Sequence, residues 1–162
     1  MENLKTLILG IGNSILTDDG IGPRLIQELK DIVNDPDVVL KETSLAGINL
    51  MELLVGFDRA IIIDASKSRG KPGEIHLLTP DDFGIQHTDF CSQHNIGLLQ
   101  AIELGKDLAQ HMPEEISIIA IEANDVTTFS ENLTPGVEKA IPSALEQILI
   151  KISKKKECAS PI

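Results

Sequence analysis

The chain has 162 residues, a length that suggests one domain, able to bury about 70% of the surface its unfolded form would expose. Aromatic content is only 2%, with no Trp and no Tyr, so the core must rest on Ile, Leu, Val and Ala. A net charge of −11 disfavours nucleic acid and anionic membranes as partners, because both need a basic face. The basic run from Lys151 to Lys156 lies at the C-terminal end and reads as a solvated helix end or tail. The two cysteines, Cys91 and Cys158, form no CxxC pair, which predicts no structural disulfide and fits a reducing cytoplasm. The segment Met1 to Lys5 has no signal-peptide shape. No apolar run reaches about 18 residues, so no transmembrane helix is expected.

In chain order, Leu4 to Leu9 is a continuous apolar run and predicts a buried strand. A helix is expected from Gly20 to Val33, where Ile21, Leu25, Ile26, Leu29, Ile32 and Val33 keep helical spacing. Pro23 is tolerable only in a first turn, which places the helix start close before it. Val38 to Lys41 predicts a second strand, Leu50 to Val55 a short helix, and Ala60 to Ile63 a third strand ending at Asp64. Glu74 to Leu78 predicts a fourth strand. The Gly-, Pro- and Lys-rich connection 65–73 is too short for a helical crossover, so strand four should run antiparallel. Asn95 to Leu108 predicts a helix and Ile116 to Ile121 a fifth strand. The last helix begins at Thr134-Pro135 and runs to about Ser153, with a kink or break at Pro142. The sum is one three-layer α/β/α domain over 1–153, with a mixed, mostly parallel five-stranded sheet, and a polar tail over 154–162.

The candidate chemistry starts in the turn Gly10-Ile11-Gly12-Asn13-Ser14-Ile15-Leu16-Thr17-Asp18-Asp19-Gly20. Glycine-rich strand-to-helix turns usually cradle phosphate, but two adjacent carboxylates here repel it, and Ile15 stands where a dinucleotide fingerprint needs its third glycine. In open α/β sheets, ligands bind outside the carboxyl ends of the strands where strand order reverses, a crevice often flanked by strands one and three. Asp18 and Asp19 follow strand one, Asp64 ends strand three, and His94 opens the next helix.

Asp19, Asp64 and His94 make an O, O, N set suited to a divalent ion such as nickel, zinc or manganese, with room left for water or substrate atoms. Two carboxylates could instead share a proton as an acid–base pair. Each residue also has a plainer reading: Asp18 and Asp19 as helix caps, Asp64 as a turn carboxylate, His94 as a cap or surface group. His76 alternates within a strand and is expected to face solvent. His87 and His111 carry no signal. Cys91 reads either as a soft fourth ligand or as a small buried thiol.

These motifs, taken in order, resemble those of the hydrogenase maturation proteases, which clip a C-terminal extension from the precursor of the nickel–iron hydrogenase large subunit. The resemblance lies in Gly10-Ile11-Gly12-Asn13, Thr17-Asp18-Asp19-Gly20-Ile21-Gly22, Ile61-Ile62-Ile63-Asp64-Ala65, Ser92-Gln93-His94-Asn95-Ile96-Gly97-Leu98 and Leu133-Thr134-Pro135, and spans nearly the whole domain. The lead-in Cys91-Ser92-Gln93 departs from the Pro- or Thr-containing one of relatives. The resemblance implies an aspartyl-type endopeptidase with a mixed sheet carrying one antiparallel strand. It implies that Asp19, Asp64 and His94 contact the metal, and that the ion is nickel carried by the substrate, with other divalent cations able to substitute. The implied partner is the large-subunit precursor, in the cytoplasm, with neither nucleic acid nor membrane involved.

On this reading Asp18 orients the loop by capping, and Glu122 and Asn124 either contact substrate or form a polar turn. A non-enzymatic nickel-dependent assembly factor would use the same three residues. Peptidyl-tRNA hydrolase shares the glycine–Asn turn and a His-Asn pair, but His94-Asn95 comes too late in the chain for that motif, and the charge of −11 opposes tRNA binding.

Overall fold

The computed structural model describes residues 3–83 and 93–158, with the side chains of 83, 93–96 and 155–158 outside that description. Five strands form one sheet in the order β2-β1-β3-β5-β4. They are β1 (Thr6–Ile11), β2 (Val38–Thr43), β3 (Arg59–Ser66), β4 (Ile75–Leu78) and β5 (Glu115–Glu122). The pairs β1–β2, β1–β3 and β3–β5 are parallel and β4–β5 is antiparallel, as the short connection before β4 requires. Every residue of β1 and β3 is buried, the pattern of parallel strands covered on both faces, whereas the edge strands β2 and β4 are only half-buried.

One face of the sheet presents Ile8, Ile61, Ile63, Ile119 and Ile121 to α1 (Ile21–Lys30) and α5 (Ile141–Cys158). The other presents Leu7, Leu9, Ile62 and Ile118 to α2 (Leu50–Leu54) and α3 (Gln93–Asp107). The aliphatic core expected from the lack of aromatics is therefore split into two layers by the sheet.

Several boundaries differ from the sequence reading for physical reasons. β1 starts at Thr6 because its partner strand starts at Val38, and Leu4 is left exposed. β3 runs past Asp64 to Ser66 because β5 pairs with it that far, as Ser66↔Glu122. Asp64 is thus a strand residue, not a turn residue. His76 is half-buried instead of facing solvent, with its Nε2 3.9 Å from Glu74 Oε2.

The last helix is two helices: α4 (Pro135–Glu138) ends four residues before Pro142, whose ring would clash with the Glu138 carbonyl in a continuous helix. Pro142 then sits in the first turn of α5, where its missing N–H costs nothing. α5 continues to Cys158, so the first part of the segment expected as tail is helical. Its lysines are good helix formers and complement the negative end of the helix dipole.

Glycine allows α1 to approach the sheet closely. A Cβ on Gly22, in the first turn of α1, would stand 2.5 Å from the Ile11 carbonyl oxygen and 2.9 Å from that of Ile63. α1 is therefore seated directly over the C-terminal ends of β1 and β3, and the turn preceding it is held at that point.

Candidate active site

The sheet order reverses at β1, which has β2 on one side and β3 on the other. The carboxyl ends of β1 and β3 therefore border the crevice where an α/β sheet binds its ligand. The turn from β1 to α1 enters it through Gly12, at φ +149°, whose N–H donates to the Thr43 carbonyl (2.9 Å). A 3-10 turn, Thr17–Gly20, follows and packs against β3. Asp19 lies in this turn, partly buried, and its Oδ2 accepts the Asn13 N–H at 2.8 Å. The carboxylate thus closes its own loop and holds the glycine turn in shape.

Asp64 comes from the other side of the crevice. It is 1% exposed, and its Oδ1 accepts the N–H of Ala65 at 2.8 Å. Alternation along β3 puts it on the face of Ile62, toward the α3 layer. It lies one residue beyond Ile63, the last β3 residue paired with β1.

α3 reaches the same end of the sheet. A Cβ on Gly97 would stand 2.5 Å from Gly47, which sits in the 3-10 turn after β2, so this turn of α3 packs closely on that segment. Leu98 is buried in the cluster of Ile62. Position 94 is one helical turn before Leu98 on the same helix face. Its backbone belongs to α3, whereas the His94 side chain lies outside the described residues. Cys91, His87 and the lead-in Ser92 also lie outside them. Among the described residues, no three His, Cys, Asp or Glu side chains cluster as a metal-binding group. What is described is two carboxylates at neighbouring strand ends, with the α3 N-terminus brought to that end of the sheet.

Asp18 holds loop structure, as expected, but not by capping. It caps neither its own turn nor α1, whose N-cap Gly20 has no side-chain cap. It is fully buried, and its carboxylate reaches a distant loop. Oδ2 accepts the backbone N–H of Asn124 (2.9 Å) and Asp125 (3.0 Å) and the Thr134 hydroxyl (2.8 Å), while Oδ1 accepts the Thr134 N–H (2.7 Å). Thr17, at φ +53°, adds to the clasp through its hydroxyl to the Thr128 carbonyl (2.6 Å) and its N–H to that of Ser130 (2.9 Å). The carboxylate next to Asp19 is therefore structural: it locks the β5–α4 loop onto the β1–α1 turn. No local signal marks this pairing, because its partners lie more than a hundred residues away.

Glu122 and Asn124 prove to be braces. Glu122 is buried at the end of β5 and accepts hydrogen bonds from the Ser68 hydroxyl (2.6 Å), the Ser66 hydroxyl (3.1 Å) and the N–H groups of Ser68 and Gly70. Burial pushes its carboxyl up, and these hydrogen bonds, those of Ser68 foremost, outweigh it and hold the group below the usual range. Asn124 donates its N–H to Asp18, and its carbonyl accepts from Lys67 Nζ (2.9 Å). Hydrogen bonds from Thr128 and Thr127 likewise hold the Asp125 carboxyl well below the usual range. Two open clefts adjoin the glycine turn: one of about 300 Å³ between Asn13, Ser14 and Thr43, and one of about 290 Å³ extending along α1 past Gln27 to Glu131.

A three-layer α/β/α domain whose sheet order reverses at β1 belongs to the class of open α/β folds that bind their ligands at the carboxyl ends of the strands. Comparison with known proteins makes the assignment specific. The family model described as hydrogenase maturation protease matches residues 23–151. The hydrogenase 2 maturation protease of Escherichia coli is 30% identical over 148 residues, covering 90% of this chain and 89% of that protein. The solved structure of the hydrogenase maturating endopeptidase HybD from E. coli superposes with a TM-score of 0.80 at 27% identity, covering 93% of each chain. At 24% identity and a TM-score of 0.69, the maturation protease HybD from Thermococcus kodakarensis shares the fold, with 92% of this chain covered and 99% of that one. The chain belongs to the hydrogenase maturation protease family, and it is an endopeptidase of that class.

Proposed function

We propose that this chain removes the C-terminal extension of a nickel-loaded hydrogenase large-subunit precursor, with Asp19, Asp64 and His94 as the residues that meet the substrate's nickel. The observation that supports this most is that the Asp19 turn packs on β3, the strand that carries Asp64 just beyond its last pairing with β1, with α3 packed at the same end of the sheet through Gly97. The nickel belongs to the substrate, where cysteines of the precursor hold it. Two oxygens and one imidazole would complete its coordination and leave a position for water.

Docking through the ion makes insertion of the metal a condition of cleavage. The scissile peptide then lies beside the two carboxylates. One carboxylate takes a proton from the water as its oxygen bonds to the carbonyl carbon, and passes that proton to the amide nitrogen as the C–N bond breaks. That is aspartyl-type chemistry built from Asp19 and Asp64. We place the reaction in the cytoplasm, consistent with two cysteines without disulfide spacing. Among the described residues, no helix is long and apolar enough to cross a membrane.

The test is a cleavage assay read by mass spectrometry. Nickel-loaded precursor should lose a C-terminal peptide, and precursor without nickel should stay intact. Tight binding of loaded precursor with no loss of mass would replace this reading with a non-enzymatic assembly factor.

A further inference from the structure

Large exposed apolar side chains collect at the site end of the sheet. Ile15 follows β1, Leu45 and Ile48 follow β2, and Phe129 follows β5, with exposures from 46% to 79%. Phe129 is the extreme case at 79%, in a chain with only four Phe and no larger aromatic. An aromatic ring left that open gains its burial energy only when something covers it.

The ring is carried on rigid backbone. Leu16 and Ser130 form a parallel bridge, closed by Ser130 N–H to the Ile15 carbonyl (3.0 Å) and Thr17 N–H to the Ser130 carbonyl (2.9 Å). The residue before Phe129 is tied by its carbonyl to the Thr17 hydroxyl, and Asp18 clamps both ends of the loop, at Asn124 and Thr134. The bridge sets Ile15 and Phe129 on adjacent backbones, about 4.8 Å apart. An exposed aromatic on a backbone already held by hydrogen bonds loses little chain entropy on binding, which is the character of an interface anchor.

We propose that Ile15 and Phe129 form a pre-organised apolar platform that docks the folded body of the hydrogenase large-subunit precursor and sets which precursor this enzyme accepts. The inference rests on the processing reading above. Its occupant follows from continuity: Ile15 belongs to the turn that Asp19 closes through Asn13, and Ile15 N–H itself donates to Asn13 Oδ1 at 3.1 Å. Whatever covers the platform stands beside Asp19. A second copy seated there would obstruct the site, whereas a precursor seated there brings its own C-terminal segment to the crevice. The clefts beside Asn13 and along α1 lead away from the same turn and leave a path for that segment.

The experiment uses the full chain with nickel-loaded precursor and measures cleavage kinetics for wild type, Phe129→Ala, Ile15→Ala, the double variant, and Leu108→Ala as an exposed control at the far end of α3. Phe129→Ala should raise KM by roughly tenfold, with kcat within about twofold and an unchanged melting temperature. Phe129→Leu should recover part of the loss, and Leu108→Ala should leave KM as it was. If wild type cuts the precursor and Phe129→Ala matches its KM, the platform falls and the processing reading stands. If wild type leaves the loaded precursor whole, the processing reading falls and the proposed occupant with it. Sedimentation that finds a wild-type dimer broken by Phe129→Ala would overturn the proposal by assigning the face to self-association.

Discussion

Asp18 and Thr134, 116 positions apart, are joined by two hydrogen bonds: Oδ1 accepts the Thr134 N–H at 2.7 Å and Oδ2 its hydroxyl at 2.8 Å. Thr134 stands at the N-cap position of α4, yet its hydroxyl serves the distant carboxylate instead of its own helix. The turn that carries Asp19 is thereby fastened to the β5–α4 loop and, through Thr134, to the start of α4.

Asp18→Ala should therefore cost stability well beyond a surface substitution. It removes a fully buried acceptor of four hydrogen bonds and leaves the N–H groups of Asn124, Asp125 and Thr134 without it. These partly buried hydrogen bonds to a charged acceptor are worth about 1 kcal/mol each, so a loss of about 3 kcal/mol is expected in urea unfolding. Thr134→Val, which deletes only the hydroxyl contact, should lose about 1 kcal/mol. Equal effects of the two substitutions would show that the backbone bonds to Asp18 contribute little.

Asp19→Asn, Asp64→Asn and His94→Ala should each lower cleavage of loaded precursor by about 100-fold or more, as expected when a positioned acid–base group or ligand is lost. Circular dichroism and the melting temperature should remain near wild type for Asp64→Asn, because an amide oxygen can still accept the Ala65 N–H. Normal turnover by any one variant would remove that residue from the site.

Gly22→Ala tests the seat of α1. The added methyl would lie 2.5 Å from the Ile11 carbonyl oxygen and 2.9 Å from that of Ile63, both backbone atoms with little freedom to yield. A destabilisation of about 2 kcal/mol is expected, together with reduced cleavage, because displacing α1 displaces the preceding turn. The checks are a thermal melt and the same mass-spectrometric assay. Full stability would mean that the helix can slide without disturbing β1 and β3.

Glu122 supplies a pH signature. Its folded carboxyl is held below the ordinary 4.5, so the unfolded chain binds the proton more readily and stability rises with pH through this range. The stabilising contribution is complete above the ordinary value and is lost as pH falls through the lowered folded value. Glu122→Gln should consequently lower stability most at neutral pH, and the gap to wild type should close as the medium is acidified below that range. Urea midpoints measured across pH 2–7 would show it, and a gap independent of pH would rule out the carboxylate's charge as the cause.

Much of this architecture was legible in the residues, because hydrophobic runs report it directly. The Ile-rich segments of β3 and β5 could only be buried strands, and the short link between Ser66 and Ile75 forced β4 to run antiparallel. Element ends were less legible, because they depend on partners: β3 passes Asp64 since β5 pairs with it as far as Ser66↔Glu122. Pro142 marked a discontinuity, but only the clash with Glu138 placed the break ahead of it.

The site divides along the same line. By itself the sequence determined the kind of residues present: glycines that let a strand turn tightly into a helix, and carboxylates that reject phosphate in that turn. It also ordered the motifs that resemble the family to which the chain belongs. The resemblance to the family set Asp19 apart from Asp18, but only the tertiary structure decided what Asp18 binds. Asp18 and Asp19 are neighbours of identical chemistry, and a local pattern has no means of separating them. One is sealed beneath the β5–α4 loop with four donors around it, and the other closes the turn at the crevice. The exposed Phe129 is likewise meaningless in a linear reading. Its place beside Ile15 follows only from the bridge between Leu16 and Ser130, which no spacing along the chain could announce.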